Sequence, residues 1–377
     1  MHLAFSLLTL DPGRVGGSET YARGLLGAYV DGAGPERVTV LASPAAAPGL
    51  PAGGPVRVVP VAGVPLGPAR GVRLAGLLRG IARAPAPARA LAAEADLVHF
   101  PLTVPVPRAP RPPVLTLFDV LHHDVPDLFS RAERAFRRVA YEQPARRAAR
   151  VVTVSEHSRR RIAAVLGIDA ARIVAIHPGL DHERFSPGPV DGDAERLAAF
   201  ALPEPPWLLY PAALWPHKNH SALLNALPDD VSLVLTGATF GRERELQAHA
   251  AAAGVADRLR ILGQVPSDAL PALYRAATGV VFPSLAEGFG QPPLEAMACG
   301  CPVAASDTGA VAEACGDAAL TFPPRDTRAM AAAITRLTRD EALRAELREA
   351  GAERARGFSW KRAAARHAEV YAAARLR

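Results

Sequence analysis

Lysine is nearly missing from this chain. Of 43 Lys and Arg residues only Lys218 and Lys361 are lysine, and asparagine is equally scarce, at Asn219 and Asn225. An ammonium is a compact point charge on a flexible stem and a guanidinium is a planar fork, so the two are not equivalent beside a phosphate. In a sequence that writes its positive charge as Arg, the adjacent Lys218-Asn219 of WPHKNH reads as a chosen pair; the competing reading is an incidental surface charge. Cysteine is scarce too. Cys299, Cys301 and Cys315 are odd in number and clustered, which argues against a disulfide framework and fits a reducing compartment. Cys299-Gly-Cys301 lacks the spacing of zinc knuckles or redox pairs, so packing is its expected role. No apolar run approaches the ~18 residues of a membrane span. The N-terminal MHLAFSLLTLDPGR has no basic n-region and reads as a buried strand rather than a signal peptide. The expectation is a folded cytoplasmic protein.

What is present points to two domains. The chain has 377 residues, 49% of them hydrophobic, enough for two packed cores. Its net charge of +6 favours anionic partners: nucleic acid, an anionic membrane surface or phosphate-bearing substrates. The charge is densest from Arg131 to Arg161, with ten Arg against three Glu. That stripe fits a peripheral contact with an anionic membrane, a nucleic-acid surface or simply a solvated helix face.

Short Val-, Leu- and Ile-rich runs alternate with Ala- and Arg-rich helical stretches, the pattern of βαβ units around parallel sheets. HLAFSLL, RVTVLAS, VRVVPV, ADLVHFP, PVLTLFD, RVVTVS and RIVAIHP predict strands in the first half. WLLYPAA, VSLVLTG, LRILGQV, GVVFPS, CPVAAS and AALTF predict them in the second. FSPGPVDGDAERLAAFALPEPPW between them reads as a linker containing a short helix, and the Pro- and Ala-rich region from Pro44 to Pro113 reads as loops within the first domain. The expected architecture is α/β, two doubly wound parallel-sheet domains meeting at a cleft near Pro187 to Pro206. Ligands of such sheets lie beyond the carboxyl ends of the strands.

Four segments sit at such ends. After the first strand, Gly16 and Gly17 precede a helix beginning near Ser18; small residues there let backbone N–H groups approach a phosphate or sugar hydroxyl, although a Ser-capped Gly-Gly turn is also a routine helix start. There is no Walker lysine and no complete GxGxxG. After PVLTLFD come Asp119, His122, His123 and Asp124, placed to hydrogen-bond a polyol or relay a proton, with a structural loop as the bland reading. Metal binding competes there, but the spacing shows no recognised ligand pattern. In FPSLAEGFGQPPLEAMACGCPVAAS, Glu287 lies in a loop and Glu295 early on the next helix, and Pro292-Pro293 suit its first turn. Both carboxylates can accept hydrogen bonds from the paired hydroxyls of a ribose or hexose, and the amides around Phe289 to Gln291 can meet phosphate or sugar oxygens. Last, Lys218 follows WLLYPAA, with Asn219 as the expected N-cap of HSALLNAL.

Taken together these motifs resemble the retaining GT-B glycosyltransferases of glycosyltransferase family 4, also called group 1. Glu287 and Glu295 match the family's Glu, seven residues, Glu pattern, with Gly288-Phe289-Gly290 inside it. Gly16-Gly17, VVTVSEHSRR, HPGLDHERFSP, Lys218-Asn219 and SDTGAVAEACGDAAL extend the likeness over nearly the whole chain. YPAALWPHKNH looks like the variant of mannosyltransferase-like bacterial members.

The resemblance implies an acceptor-binding domain over 1–186, a sugar-nucleotide-binding domain over 187–355, and a helix over 356–377 crossing back to the first. It implies that Glu295 holds the ribose hydroxyls, Lys218 neutralises the diphosphate, and Gly288, Phe289 and Gly290 give backbone amides to the donor. Glu287 contacts the donor sugar, with a covalent nucleophile as its alternative catalytic role, Gly16 and Gly17 lie near the phosphate, and Asp119 and His122 orient acceptor and sugar. The implied reaction moves a hexosyl group, mannose being one candidate, from a nucleotide-diphosphate sugar to a hydroxyl of a saccharide, lipid-linked or small-molecule acceptor with retention, needing neither metal nor other cofactor. No nucleic-acid partner is expected. Two positions depart from the family. Phe118-Asp119 stands where many members have His-Asp, which shifts the imidazole role to His122. Ala213 stands where many have Arg, which leaves the second positive charge to another Arg or to His217. The alternatives are a GT-B sugar-nucleotide epimerase, a phosphorylase, or a non-catalytic binder of anionic surfaces.

Overall fold

A computed structural model describes residues 1–13, 16–62 and 84–375. Two compact units are formed, one by Met1–Gly179 with Phe358–Arg377, the other by Leu180–Gly357.

The first unit is built on a seven-stranded, all-parallel sheet. Its strands are β1 (His2–Leu7), β2 (Arg37–Ala42), β3 (Val56–Pro60), β4 (Leu97–Phe100), β5 (Val114–Thr116), β6 (Arg150–Thr153) and β7 (Ile173–Ala175), in the order β3-β2-β1-β4-β5-β6-β7. Helices cover both faces of such a sheet, so its strands bury both faces and read as continuous apolar runs rather than alternating ones. Hence the N-terminal segment is a central strand, with Leu3, Phe5 and Leu7 fully buried.

The second unit repeats the design with six parallel strands: β8 (Trp207–Pro211), β9 (Ser232–Thr236), β10 (Leu259–Gly263), β11 (Gly279–Phe282), β12 (Val303–Ser306) and β13 (Leu320–Phe322). Their order is β10-β9-β8-β11-β12-β13. The chain thus winds outward from β8 in one direction and from β11 in the other, so the switch point, beside which ligands of such sheets bind, lies at the carboxyl ends of these two neighbours. The segment that resembles a linker belongs to this unit. Its helix Asp193–Ala198 is fastened by Asp193, which accepts from Arg275 Nε at 2.6 Å and Nη2 at 2.7 Å. The boundary falls at Gly179–Leu180, ahead of the 186–187 read from sequence, because Phe185 packs edge-on against Tyr274 with ring centres 6.1 Å apart and Arg275 Nη1 donates to Ser186 O at 3.2 Å, partners invisible in the local composition.

The terminal helix Trp360–Arg375 packs on the helix Gly17–Val30 of the first unit. Gly24 makes room for it: a Cβ there would lie 2.1 Å from Cε2 of Trp360. Below that contact runs a buried polar chain. The Tyr21 hydroxyl meets Nε2 of His367 at 2.7 Å and Oγ1 of Thr116 at 3.2 Å, Nε2 of His99 meets the same Thr116 at 2.9 Å, and Nδ1 of His99 meets the Tyr371 hydroxyl at 2.8 Å. Tyr371 then reaches Tyr29 at 2.7 Å. Gly24→Ala forces the Trp360 ring out of this packing, with an expected loss of about 1–3 kcal/mol in urea unfolding; unchanged stability would contradict the helix contact.

The three cysteines are buried thiols, and burial raises Cys299 and Cys315 to about 12, which fits packing. Among the described residues no helix is long and apolar enough to cross a membrane.

Candidate active site

The crevice at the ends of β8 and β11 collects the second-half candidates. β8 runs into a short 3-10 turn, Pro216–Lys218, and then the helix His220–Ala226; β11 runs into a loop carrying Glu287 and then the helix Gln291–Ala298. The two loops are stitched together. Leu285 N donates to His217 O at 2.8 Å, and the Tyr210 hydroxyl donates to Lys218 O at 2.7 Å while lying 3.3 Å from Ser284 Oγ. Nζ of Lys218 donates to Oε1 of Glu287 at 2.5 Å and stands 5.3 Å from the centre of the Phe282 ring.

Asn219 corrects one expectation. It precedes the helix in a left-handed conformation, φ 62°, and its side chain makes no cap. Instead Nδ2 donates to Pro283 O at 3.1 Å and to Pro324 O at 2.7 Å, joining the ends of three segments. A short amide tolerates positive φ and still reaches two carbonyls, which accounts for Asn here in a chain that hardly uses it. Ser18 likewise lies inside the helix Gly17–Val30, whose N-cap is Gly16 at φ 66° with no side-chain cap.

The two glutamates are in unlike surroundings. Burial alone would raise the Glu287 carboxyl, but the charges of Lys218 and His217 and the hydrogen bonds from Lys218 and Ser284 outweigh it and hold it below the usual range. Glu295 is 8% exposed and, among the described residues, its hydrogen-bond partner is the hydroxyl of Tyr274, which donates to Oε2 at 3.0 Å; burial raises it to about 7 against that bond and the more distant charge of Arg184. Gly290 starts the helix at φ 143°, in a region closed to L side chains, and a Cβ there would come 3.2 Å from Cβ of Ala314. Phe289 is buried, which anchors the Gly288–Gly290 turn.

In the first unit Gly16 and Gly17 follow the carboxyl end of β1, and nothing lies within 4 Å of where their Cβ atoms would be. Asp119 follows β5; its Oδ1 accepts from Leu121 N at 3.1 Å, and Arg137 Nη1 is 3.9 Å away. His122 is buried rather than open to a substrate: its Nε2 lies 3.0 Å from Oε1 of Glu142, which His123 Nε2 also meets at 2.8 Å. Four arginines of the basic stripe are paired within the unit, Arg137 with Asp119, Arg146 with Glu142, Arg159 with Glu156 and Arg161 with Asp124. Sequence reasoning missed Glu142 and Tyr274. Each lies about twenty residues from its partner on another helix, so no local spacing betrays it.

The second unit therefore presents a lysine held by a carboxylate where the loops after β8 and β11 meet, and, on the helix that follows, a tight glycine turn and a second carboxylate raised to about 7. Fixed positive charge and hydroxyl acceptors at such a place suit a polyhydroxylated, anionic ligand.

Comparison with known proteins agrees with this. The family model of glycosyl transferases group 1 matches residues 195–354, and that of glycosyltransferase family 4 matches residues 15–184. A D-inositol 3-phosphate glycosyltransferase of Salinispora tropica is 33% identical over 263 residues, 64% of this chain and 54% of that protein. The O-antigen chain mannosyltransferase B of Escherichia coli is 34% identical over 219 residues, 56% of this chain and 57% of the other. The matched stretch thus spans little more than half the length of these relatives. Among solved structures, Anabaena HepE in complex with UDP and glucose superimposes with TM-score 0.74 at 22% identity, covering 99% of both chains. Sucrose-phosphate synthase from Thermosynechococcus elongatus does so with TM-score 0.77 at 22% identity, covering 99% of this chain and 98% of that one. At such identity the structural likeness speaks for the fold, two Rossmann-like units of the GT-B class. With one family model on each unit, the chain belongs to the group 1, family 4 glycosyltransferases.

Proposed function

We propose that the protein transfers a hexosyl group from a nucleotide-diphosphate sugar to a hydroxyl acceptor with retention of configuration, and that the second unit binds the donor. The observation that carries this reading is the Lys218–Glu287 pair at the switch point of the six-stranded sheet. Breaking the glycosidic bond leaves negative charge on the diphosphate, and Lys218 supplies fixed positive potential for it. Glu287 holds the ammonium in place and offers its second oxygen to the donor sugar. Glu295 accepts the paired ribose hydroxyls, and the Gly288–Gly290 turn lets backbone amides approach. The charge that Ala213 does not supply is left to another Arg or to His217, which lies in the turn before Lys218.

In the retaining sequence the acceptor hydroxyl attacks on the face the diphosphate leaves, and the departing phosphate oxygen takes its proton. We assign acceptor recognition to the first unit, on Asp119; His122 is engaged by Glu142 and is not given that task. The names of the relatives support a cyclitol-phosphate or saccharide acceptor, and that of the O-antigen enzyme supports a mannosyl donor. Phosphorylase chemistry with a lysine-bound cofactor finds no support, since the only lysine besides Lys218 is Lys361, exposed on the terminal helix of the first unit.

A thermal-shift series with GDP-, UDP-, dTDP- and ADP-sugars tests donor binding, since a ligand that binds only the folded state raises the transition with occupancy. The pH dependence is specific. The carboxylate form of Glu295 accepts two hydroxyls, so with its value near 7 the affinity rises as pH increases through neutrality and falls below it. The donor should bind about tenfold more weakly at pH 6 than above pH 8, and Glu295→Gln should remove that step. No shift with any of the four sugars would overturn the donor reading.

A further inference from the structure

We infer that His122, His123 and Glu142 form a site for a divalent transition-metal ion of the zinc class. The three side chains come from two elements. His122 and His123 lie in the single helical turn Leu121–Asp124 that follows β5, and Glu142 closes a π-helical turn, Arg138–Glu142, between the helices Arg131–Arg137 and Gln143–Arg147. Such π turns are rare and recur at functional sites. This one carries Glu142 into the interior, where both imidazoles converge on one carboxylate oxygen, Nε2 of His122 at 3.0 Å and Nε2 of His123 at 2.8 Å. The three donor atoms all lie within 4.8 Å of one another, so one ion can reach all three.

Both imidazoles direct Nε2 at the same oxygen, which is the position an ion would share. Nδ1 of His122 is buried with no partner. An ion at Nε2 would leave that atom as it is, so the case rests on the convergence of the three donor atoms. The donor set selects the ion: two imidazole nitrogens and one carboxylate suit zinc, nickel or copper, whereas magnesium and calcium take oxygen ligands. Three protein ligands leave a fourth position for water, and the His123 side chain, 33% exposed, keeps that side open to solvent. Nη1 of Arg146 lies 3.4 Å from Oε2 of Glu142, which fixes the other carboxylate oxygen and leaves Oε1 for the ion.

The ion would tie the segment following β5 to the helices over 131–147, and so steady the loop that carries Asp119. No glycosyl-transfer step passes through it, and the inference stands apart from the donor reading.

Calorimetric titration of the full chain with zinc chloride tests it, with magnesium chloride as control and cobalt(II) as a spectroscopic probe. The expected result is saturable uptake of one zinc per chain, no competition from magnesium, and visible d–d absorption from bound cobalt. His123→Ala, at a part-exposed position that the fold tolerates, should weaken zinc binding at least tenfold or so while leaving the far-ultraviolet dichroism unchanged. Glu142→Gln should weaken it as well, with the loss of the anionic ligand. Absence of saturable zinc uptake up to about 100 μM would overturn the proposal, because such a site would then add almost nothing to stability at ordinary metal levels. So would equal affinity in the His123→Ala protein, which would place the ion on other histidines, or displacement of zinc by magnesium.

Discussion

Lys218→Ala should lower the transfer rate by about 10²–10³, the cost of removing one fixed charge-stabilising group from a preorganised site. It should also destabilise the second unit, because the Glu287 carboxylate would be left with its nearest cation gone. For a pair buried only in part, that loss is on the order of 2–3 kcal/mol, somewhat less than the ~3–5 kcal/mol of breaking a fully buried pair. The two consequences separate cleanly. Glu287→Gln in the Lys218→Ala background removes the stranded charge and should recover much of the stability while recovering none of the activity. Lys218→Arg keeps the charge but not its shape: the planar fork cannot occupy the position 2.5 Å from Oε1 of Glu287 and also present a point charge to a phosphate, so activity should remain far below wild type. Wild-type turnover in Lys218→Ala would remove the diphosphate role; wild-type turnover in Lys218→Arg would remove the explanation for lysine at this position.

The first unit should lose stability as pH falls from about 6.5 toward 4. His99 and His367 are fully buried in the polar chain beneath the terminal helix; burial lowers His99 well below its ordinary value and lowers His367 to about 4. Both are neutral in the folded state and become charged on unfolding once the pH is below 6.5. The unfolded chain then binds more protons, so stability is fully present above 6.5 and is lost progressively down to the folded-state value. His367 alone should contribute a loss of about 3 kcal/mol by pH 4, and His99 adds in the same direction. In the second unit Glu295 acts oppositely, since its raised value makes protonation favour the folded form. The comparison is therefore between wild type and His367→Gln in urea unfolding at pH 7.5 and pH 4. The variant should be less stable at pH 7.5 yet lose about 3 kcal/mol less on acidification. An identical pH dependence in the two proteins would show that His367 is not held neutral by burial.

Much of the fold was legible in the sequence. Each predicted strand contains an observed one, because strands of a doubly covered parallel sheet are apolar on both faces and stand out as runs without needing a period. Their order was not legible, yet order is what brings the ends of β8 and β11 together and turns WPHKNH and AEGFG into one crevice. Gly290 and the two prolines after it announced their helix start locally. Lys218 was marked by composition alone. The partners that give these residues their properties were hidden: Tyr274 beside Glu295, Glu142 beneath two histidines, and Pro283 and Pro324 as the true acceptors of Asn219. All of these are contacts across 19 to 105 positions of sequence. The buried chain from Tyr21 to Tyr371 is the extreme case. Its members look like ordinary core aromatics and histidines until the terminal helix lies on the first one.

The central claim is that the crevice between the ends of β8 and β11 holds the diphosphate and ribose of a sugar nucleotide. A crystal structure of the protein with the donor that gives the largest thermal shift tests it most directly. The prediction is a diphosphate oxygen within about 3 Å of Lys218 Nζ and both ribose hydroxyls at hydrogen-bond distance from the Glu295 carboxylate. A nucleotide bound elsewhere, with Lys218 still engaged only by Glu287, would contradict the account.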